Sequence, residues 1–337
     1  MSRRITGFKP TGHLQLGNYV GAIRPLLRDS RHSIAFIADL HAMTVEHDPR
    51  KLHALTYENA AVLLAAGLDP ETIPLFAQSD LPALAELHYL LECVTRYGEA
   101  HRMIQFKEKG GGSGTRLSLL TYPVLMAADI LVHDIDEVPV GADQGQHLEL
   151  TRDIATRFNV HYGQTFVVPR AAHPTHAARL ADLADPATKM GKTNASPAGV
   201  LFLLDEPDVV RRKVMRAVTD TDTEVHYAPQ AKPGVANLLD ILGACTGRDP
   251  ARLASQFSGY GELKTAVADA VVALLQPIQQ RYADVAADPG YVEAVLADGV
   301  ERVRERADAT VRRAKTALGL HGSTRRAYSP PGVNHAD

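Results

Sequence analysis

Short β-branched or apolar runs alternate with longer stretches of helical period through the first half of the chain, the pattern of a doubly wound parallel sheet. Residues 4–8 read as the first strand, 33–38 and 73–77 as later ones, and 137–140 as another. The clearest helix spans about 51–66, where Leu52, Leu55, Asn59, Val62, Leu63 and Ala66 recur on one face. Gly67 supplies its stop, and Pro70 just beyond supports the break. A second helix starts at Pro123, since proline fits a first turn, and continues without breakers over 124–132. Tyr122, Met126 and Asp129, spaced by four and three, then stack on one side. Gly141-Ala142-Asp143 turns into a helix over 144–158 with Leu148, Thr151, Ile154, Ala155 and Phe158 as its buried stripe and Asp143 as a cap.

From about residue 197 the strand pattern fades and helices dominate, over 209–218, 235–245 and the alanine-rich 264–283. This composition shift places a boundary near 195. Residues 1–195 form an α/β unit. Residues 196–320 form a mainly helical region, with one or two helices over 291–318 and the last of them packing back on the first unit. Residues 321–337, with Ser329-Pro330-Pro331-Gly332, read as a disordered tail, and the Gly110–Gly114 cluster as a surface loop.

A length of 337 residues, 45% hydrophobic and 22% charged, fits an ordinary globular protein of about two modules and excludes collagen-like, mostly disordered and coiled-coil classes. With 36 Lys and Arg against 39 Asp and Glu, total charge gives no hint of a nucleic acid, so any such partner must use a local patch. Residues 300–337 hold eight basic against four acidic side chains, and Arg211, Arg212, Lys213 and Arg216 form a second cluster. Both suit phosphate contacts or a solvated helix face. Cys93 and Cys245 make no disulfide framework and no metal-type pair. No apolar leader follows Met1 and no eighteen-residue apolar run occurs, so the expectation is a cytoplasmic protein without a membrane span.

Three places carry candidate chemistry. Residues 7–22, GFKPTGHLQLGNYVGA, follow a strand and open a helix, a junction whose free N–H groups suit an anion; a structural glycine turn explains them equally. The segment fits neither the dinucleotide nor the phosphate-loop glycine pattern. Thr188-Lys189-Met190-Gly191-Lys192-Thr193-Asn194 is not a phosphate loop either, because Pro186 stands where that motif needs glycine; its two lysines are able to close over a polyphosphate or simply face water. Asp129 sits in an apolar helix, where an unpaired carboxylate is costly to bury, so it needs a partner: a backbone cap, a core arginine, or a ligand donor such as an indole N–H. His147 lies near Gln144 without metal-ligand spacing around it, and no hydrolase serine elbow is present. The residues point to no protein-held metal.

Together these motifs resemble the class I aminoacyl-tRNA synthetases of the bacterial tryptophanyl type, over about residues 5–318. Residues 7–22 look like the HIGH signature and Lys189-Met190-Gly191-Lys192-Thr193 like the KMSKS loop. The more specific pieces are ADLHAMT at 38–44, RMIQFKEK at 102–109, YPVLMAAD at 122–129, VPVGADQ at 138–144, HLELTRD at 147–153, AVTD at 217–220 and KPGVANLL at 232–239.

The resemblance implies a Rossmann-type doubly wound catalytic domain, an all-helical anticodon-binding domain and a homodimer. It implies that L-tryptophan and ATP give tryptophanyl adenylate and pyrophosphate, with Mg2+ riding on the ATP phosphates, and that the adenylate then charges tRNA(Trp). The catalytic group would be Lys192, Lys189, Lys109 and Asn18. ATP would meet Lys9, Thr11, Gly17, Asn18, Gly141, Asp143, Lys189, Met190, Lys192 and Thr193. Tryptophan would meet Asp129, which accepts the indole N–H, with Met126 and Val140 as walls, Tyr122 and Gln144 at the amino-acid backbone, and His41 and Gly7 nearby.

Departures from the resembled family's pattern are Gln15, where Thr or His is usual, Lys9 for a glutamine, Ala142 for an acid, and Gly191 and Thr193 for the two serines of KMSKS. They give the expectation of an active, kinetically unusual enzyme, an auxiliary copy tolerant of tryptophan-like inhibitors. The alternatives are a tyrosyl-tRNA synthetase and an impaired paralogue that binds tryptophan or tRNA as a regulator.

Overall fold

The computed structural model describes residues 3–109, 112, 114–139, 145–172, 180–191 and 196–320. Five parallel strands, β1 Arg4–Phe8, β2 Ser33–Ile37, β3 Leu75–Ala77, β4 Glu137–Pro139 and β5 Arg170–Ala172, form one sheet in the order β3-β2-β1-β4-β5. β1 and β2 run in register from Arg4 opposite Ser33 to Phe8 opposite Ile37. Helices cover both faces, as a parallel sheet requires. The pleat sorts β2 between two cores: Ala35 and Ile37 join one cluster, Ile34 and Phe36 the other.

The signature segment makes α1 Leu16–Asn18, a π-helical stretch Tyr19–Ile23, and α2 Arg24–Arg28. After β2 come α3 Asp39–Ala42 and α4 Pro49–Ala65; Asp48 caps α4 by accepting from the N–H groups of Arg50 and Lys51. Gly67, beyond its end, takes φ +105°, as its role as a stop demands. Between β3 and β4 lie α5 Pro82–Glu92, α6 Tyr97–His101, α7 Ile104–Lys109 and α8 Leu117–Leu131. α9 Gly145–Tyr162 leads to β5, and the chain ends in α10 Pro207–Met215, α11 Pro233–Thr246, α12 Pro250–Ala254, α13 Tyr260–Ala286 and α14 Pro289–Ala317.

Several expectations need correction. α8 begins at Leu117, so Pro123 lies inside it and not in its first turn. A proline there costs a helical hydrogen bond, about 3 kcal/mol, but its ring is buried and packing carries the helix through. The third strand is shorter than 73–77, because Pro74 has no N–H for a ladder and contributes only its carbonyl, which accepts from Ala35 at 3.0 Å. The one or two helices expected over 291–318 are a single one, α14 Pro289–Ala317, so that expectation stands. β5, with the sequence Arg-Ala-Ala, gives no strand pattern to read. The predicted strand residue Val140 and the predicted cap Asp143 lie outside the described residues, as do 321–337.

α14 packs on the sheet edge. A Cβ at Gly299 would lie 2.0 Å from the Leu75 carbonyl oxygen, so only glycine lets the helix lie directly on β3. Among the described residues no helix is long and apolar enough to cross a membrane.

Candidate active site

The strand order reverses at β1, which has β2 on one side and β4 on the other. In open parallel sheets a ligand crevice forms there, beyond the carboxyl ends of the strands. The candidate residues gather at those ends. Lys9 follows β1 and its Nζ donates to Thr44 Oγ1 at 3.1 Å. His41 follows β2 on α3, and Gln78 is the first residue after β3. Gly7 is exposed on the sheet surface, where a Cβ would collide with the Phe36 ring at 2.5 Å.

Asp129 reaches this crevice from α8 and is 2% exposed. It has partners, as its burial demands, but they are neither an arginine nor a backbone cap. Gln78 Nε2 donates to Oδ1 at 2.7 Å, and His41 Nε2 lies 2.8 Å from Oδ2. Gln78 Oε1 also accepts the His41 backbone N–H at 3.3 Å, so one buried carboxamide fixes both the acid and the segment bearing its histidine. Burial raises the Asp129 pKa, while the bonds from His41 and Gln78 pull it back down. A carboxylate oxygen offers two lone pairs. Each oxygen of Asp129 therefore keeps a site for one more N–H.

Tyr122 and Met126 sit on the same side of α8, both half-buried. The Tyr122 hydroxyl lies 2.6 Å from His147 Nε2, and the Tyr122 ring meets the His41 ring edge-on with centroids 6.2 Å apart. His147 is 1% exposed on α9, so it is a satisfied interior histidine and not a surface one. Burial also lowers the pKa of His88 on α5, which lies close enough to Asp129 and His41 to feel both charges. The arrangement is an interior acid braced by His41 and Gln78 and ringed by tyrosine, histidine and methionine. It suits a flat apolar ring carrying one N–H.

The anion side is built from the segment after β1. Gln15 caps α1: its side-chain oxygen accepts from Gly17 N–H, and Asn18 Oδ1 accepts from Gln15 N–H at 3.1 Å. The Gly17 N–H, offered by sequence to a phosphate, is thus taken by Gln15, and α1 is too short to carry a helix-end anion site. The π-helical turn directly after Asn18 is a form often found at functional sites. Gln15 Nε2 donates to the Met190 carbonyl at 3.0 Å, which brings the two signature segments into contact. Met190 is buried, Lys189 beside it is exposed, and Thr11 is half-buried.

Lys109 closes α7, with its side chain outside what is described. Val140, Gly141, Asp143, Gln144, Lys192 and Thr193 lie outside the described residues. A separate groove of about 560 Å3 opens between α4 and α14 beside Asp39, Asp80, Glu293 and Glu301. His47, His53 and Arg304 line it as well, and it contains neither of the two signature segments. Sequence reasoning missed Gln78 and the bridging role of Gln15. The available signal for Gln78 was its place as the first polar residue past a strand's carboxyl end.

The sequence model of the family described as tRNA synthetases class I (W and Y) matches residues 2–276. A protein of Streptomyces coelicolor named tryptophan–tRNA ligase 1 is 53% identical over 328 residues, covering 95% of this chain and 98% of the relative. The crystal structure of tryptophanyl-tRNA synthetase from Mycoplasma pneumoniae superimposes with a TM-score of 0.87 at 35% identity, covering 95% of this chain and 98% of that one. That of the Campylobacter jejuni tryptophanyl-tRNA synthetase complexed with ADP and tryptophan gives 0.80 at 29% identity, covering 94% and 100%.

Proposed function

Because this chain belongs to the class I tRNA synthetases of the W and Y family and acts as a tryptophan–tRNA ligase, we propose that both substrates of its first step meet at the carboxyl ends of β1, β2 and β3. A tryptophan carboxylate oxygen attacks the α-phosphorus of ATP, the bond to the β-phosphate bridge breaks, and pyrophosphate leaves. A ribose hydroxyl of the terminal adenosine of tRNA then attacks the adenylate carbonyl, and AMP leaves. Neither step needs a protein nucleophile, so positioning and charge stabilisation carry the rate. Mg2+ enters with ATP as part of the substrate.

The observation that carries the pocket assignment is Asp129, buried and braced by His41 and Gln78. Its remaining lone pairs accept the indole N–H, Met126 and Val140 form walls, Gly7 leaves the floor open, and Tyr122 and Gln144 bind the amino-acid backbone. A phenylalanine ring brings no donor to this place, and the tyrosine hydroxyl, a donor in its own right, stands further from the β-carbon than an indole N–H does. Since each oxygen already accepts one bond, the penalty is one missing bond to a charged acceptor, about 1.5–3 kcal/mol, or about 10- to 150-fold in affinity.

On the nucleotide side, Asn18, Lys9, Thr11, Gly141, Asp143, Met190 and Thr193 line ATP, while Lys189, Lys192 and Lys109 neutralise charge developing on pyrophosphate. Gly17 contributes by its lack of a side chain, which admits the Gln15 carboxamide.

For tRNA the exposed face of α10 is the better candidate. Arg212 and Arg216 are exposed there, whereas on α14 Arg302 holds the carbonyls of Pro70 and Glu71, and Arg313 and Lys315 pair with Asp134 and Glu86. The basic run of α14 thus largely fastens that helix to the α/β unit. The division near residue 195, a homodimer and a cytoplasmic setting complete the reading.

The test is amino-acid-dependent ATP–pyrophosphate exchange. Tryptophan supports exchange and tyrosine does not. Exchange with tyrosine alone would transfer the chain to the tyrosyl reading, and exchange with neither would leave a binding paralogue.

A further inference from the structure

Lys189 sits on a small antiparallel pairing in which Met190 N–H donates to the Leu180 carbonyl at 3.0 Å and Asp182 N–H to the Thr188 carbonyl at 2.9 Å. One side of this hairpin is clamped from α11: Asn237 Oδ1 accepts from Ala181 N–H at 2.8 Å, and its Nδ2 donates to the Ala181 carbonyl at 3.0 Å. The other side is held by Gln15. Its Nε2 donates to the Met190 carbonyl at 3.0 Å across 175 residues, and its Oε1 accepts from Gly17 N–H at the start of α1.

Gln15 is 3% exposed, and its backbone is fixed by an antiparallel bridge to Phe202, with Leu16 N–H donating to Leu201 and Leu203 N–H to Leu14. Its carboxamide therefore has one donor end and one acceptor end, each engaged with a different nucleotide signature. Gly17 makes this possible, since a Cβ there would stand 2.9 Å from Gln15 Oε1. Threonine lacks the reach for both bonds, and histidine, although its neutral ring also has one donor and one acceptor, points them further apart than a carboxamide does. The side chain at this position is thus matched to a tie between the segments.

We propose that Gln15 is a positioning residue for adenylate formation: it ties the Met190 end of the Lys189 hairpin to the start of α1 and so sets where Lys189 stands relative to Asn18. The inference rests on the reading of both segments as one ATP site. Gln15 touches no reacting atom. Losing its bonds frees the hairpin end while Asn237 still holds the opposite side, so the effect is local, and it falls on the phosphate half of the crevice and not on the Asp129 half.

The test uses the full chain with Gln15→Met, which keeps the volume and removes both bonds, and Gln15→Thr, which carries the residue usual in the family. Amide hydrogen exchange followed by mass spectrometry reads the peptide covering 180–191. Loss of one or two neutral buried hydrogen bonds should speed its exchange about 5- to 10-fold, with peptides covering β1 and β2 unchanged. In pyrophosphate exchange the same variants should lower kcat about 5- to 10-fold while the KM for tryptophan stays at the wild-type value. Unchanged exchange over 180–191 in both variants overturns the proposal. So does a rise in exchange throughout the molecule, or a parallel loss of tryptophan affinity, since either makes Gln15 an ordinary core side chain. The hydrogen-exchange arm needs no activity, so a wild-type enzyme silent with tryptophan would count against the functional reading alone.

Discussion

At the scale of single residues, burial of polar groups separates sites from structure. Asp129 was legible in the sequence because a carboxylate in an apolar helix demands a partner. Its partners were not, because His41 and Gln78 are 88 and 51 residues away and reach it only through the strand order. His133 is the converse case. It is fully buried, neither ring nitrogen has a hydrogen-bond partner among the described residues, and burial pushes its pKa from 6.5 down to about 3. The folded state refuses a proton that the unfolded chain accepts. Stability from this group is whole above pH 6.5 and is lost as pH falls toward about 3. Between pH 7 and pH 5 it should remove about 2 kcal/mol, at roughly 1.4 kcal/mol per pH unit below the unfolded pKa. Thermal unfolding at the two pH values checks this: a His133→Phe variant should lose distinctly less stability on acidification than the wild type, and equal losses would place His133 outside the acid response.

At the scale of elements, the periodic pattern located β1, β2 and α4 because each has enough residues to show its period. It failed where burial or non-local pairing outweighs local preference. Pro123 reads as a helix start, yet α8 begins six residues earlier, at Leu117, and only its buried face opens at Pro123. β5 is three residues of no strand propensity, recruited by pairing with β4. Gly299 in α14 is a position where local and tertiary rules give opposite signs. Helix propensity alone predicts that Gly299→Ala stabilises by up to about 1 kcal/mol, whereas overpacking costs about 1–3 kcal/mol. A methyl group 2.0 Å from the Leu75 carbonyl oxygen leaves the second effect dominant, so the variant should melt below the wild type. A higher melting temperature would show that α14 can lift off β3 freely.

At the scale of the whole molecule, the sheet brings the crevice residues together while the helices after residue 197 brace it, through Asn237 on the Lys189 hairpin and α14 on β3. The surface beside the crevice is left apolar. Met43 is 47% exposed, Val45 45% and Leu117 73%, and Arg116 ties them by donating to the carbonyls of Met43 and Val45 at 3.2 Å each. Such a patch suits the two-fold contact of a homodimer. If the proposed homodimer forms through this face, Leu117→Glu should turn it into a monomer in sedimentation velocity, and a monomeric wild type would remove this face from that role. No sequence periodicity announced the patch, because it joins a loop to a helix start 71 residues further along the chain.

In the proposed site the Asp129 carboxylate reads the ring nitrogen of the substrate. Calorimetric affinities for tryptophan and for its benzothiophene analogue, in which sulfur replaces the indole N–H, test it in the wild type and in Asp129→Ala. The wild type should prefer tryptophan about 10- to 150-fold, the worth of one hydrogen bond to a charged acceptor, and the preference should fall to near unity in the variant. A variant that binds both ligands with the wild-type ratio would contradict it.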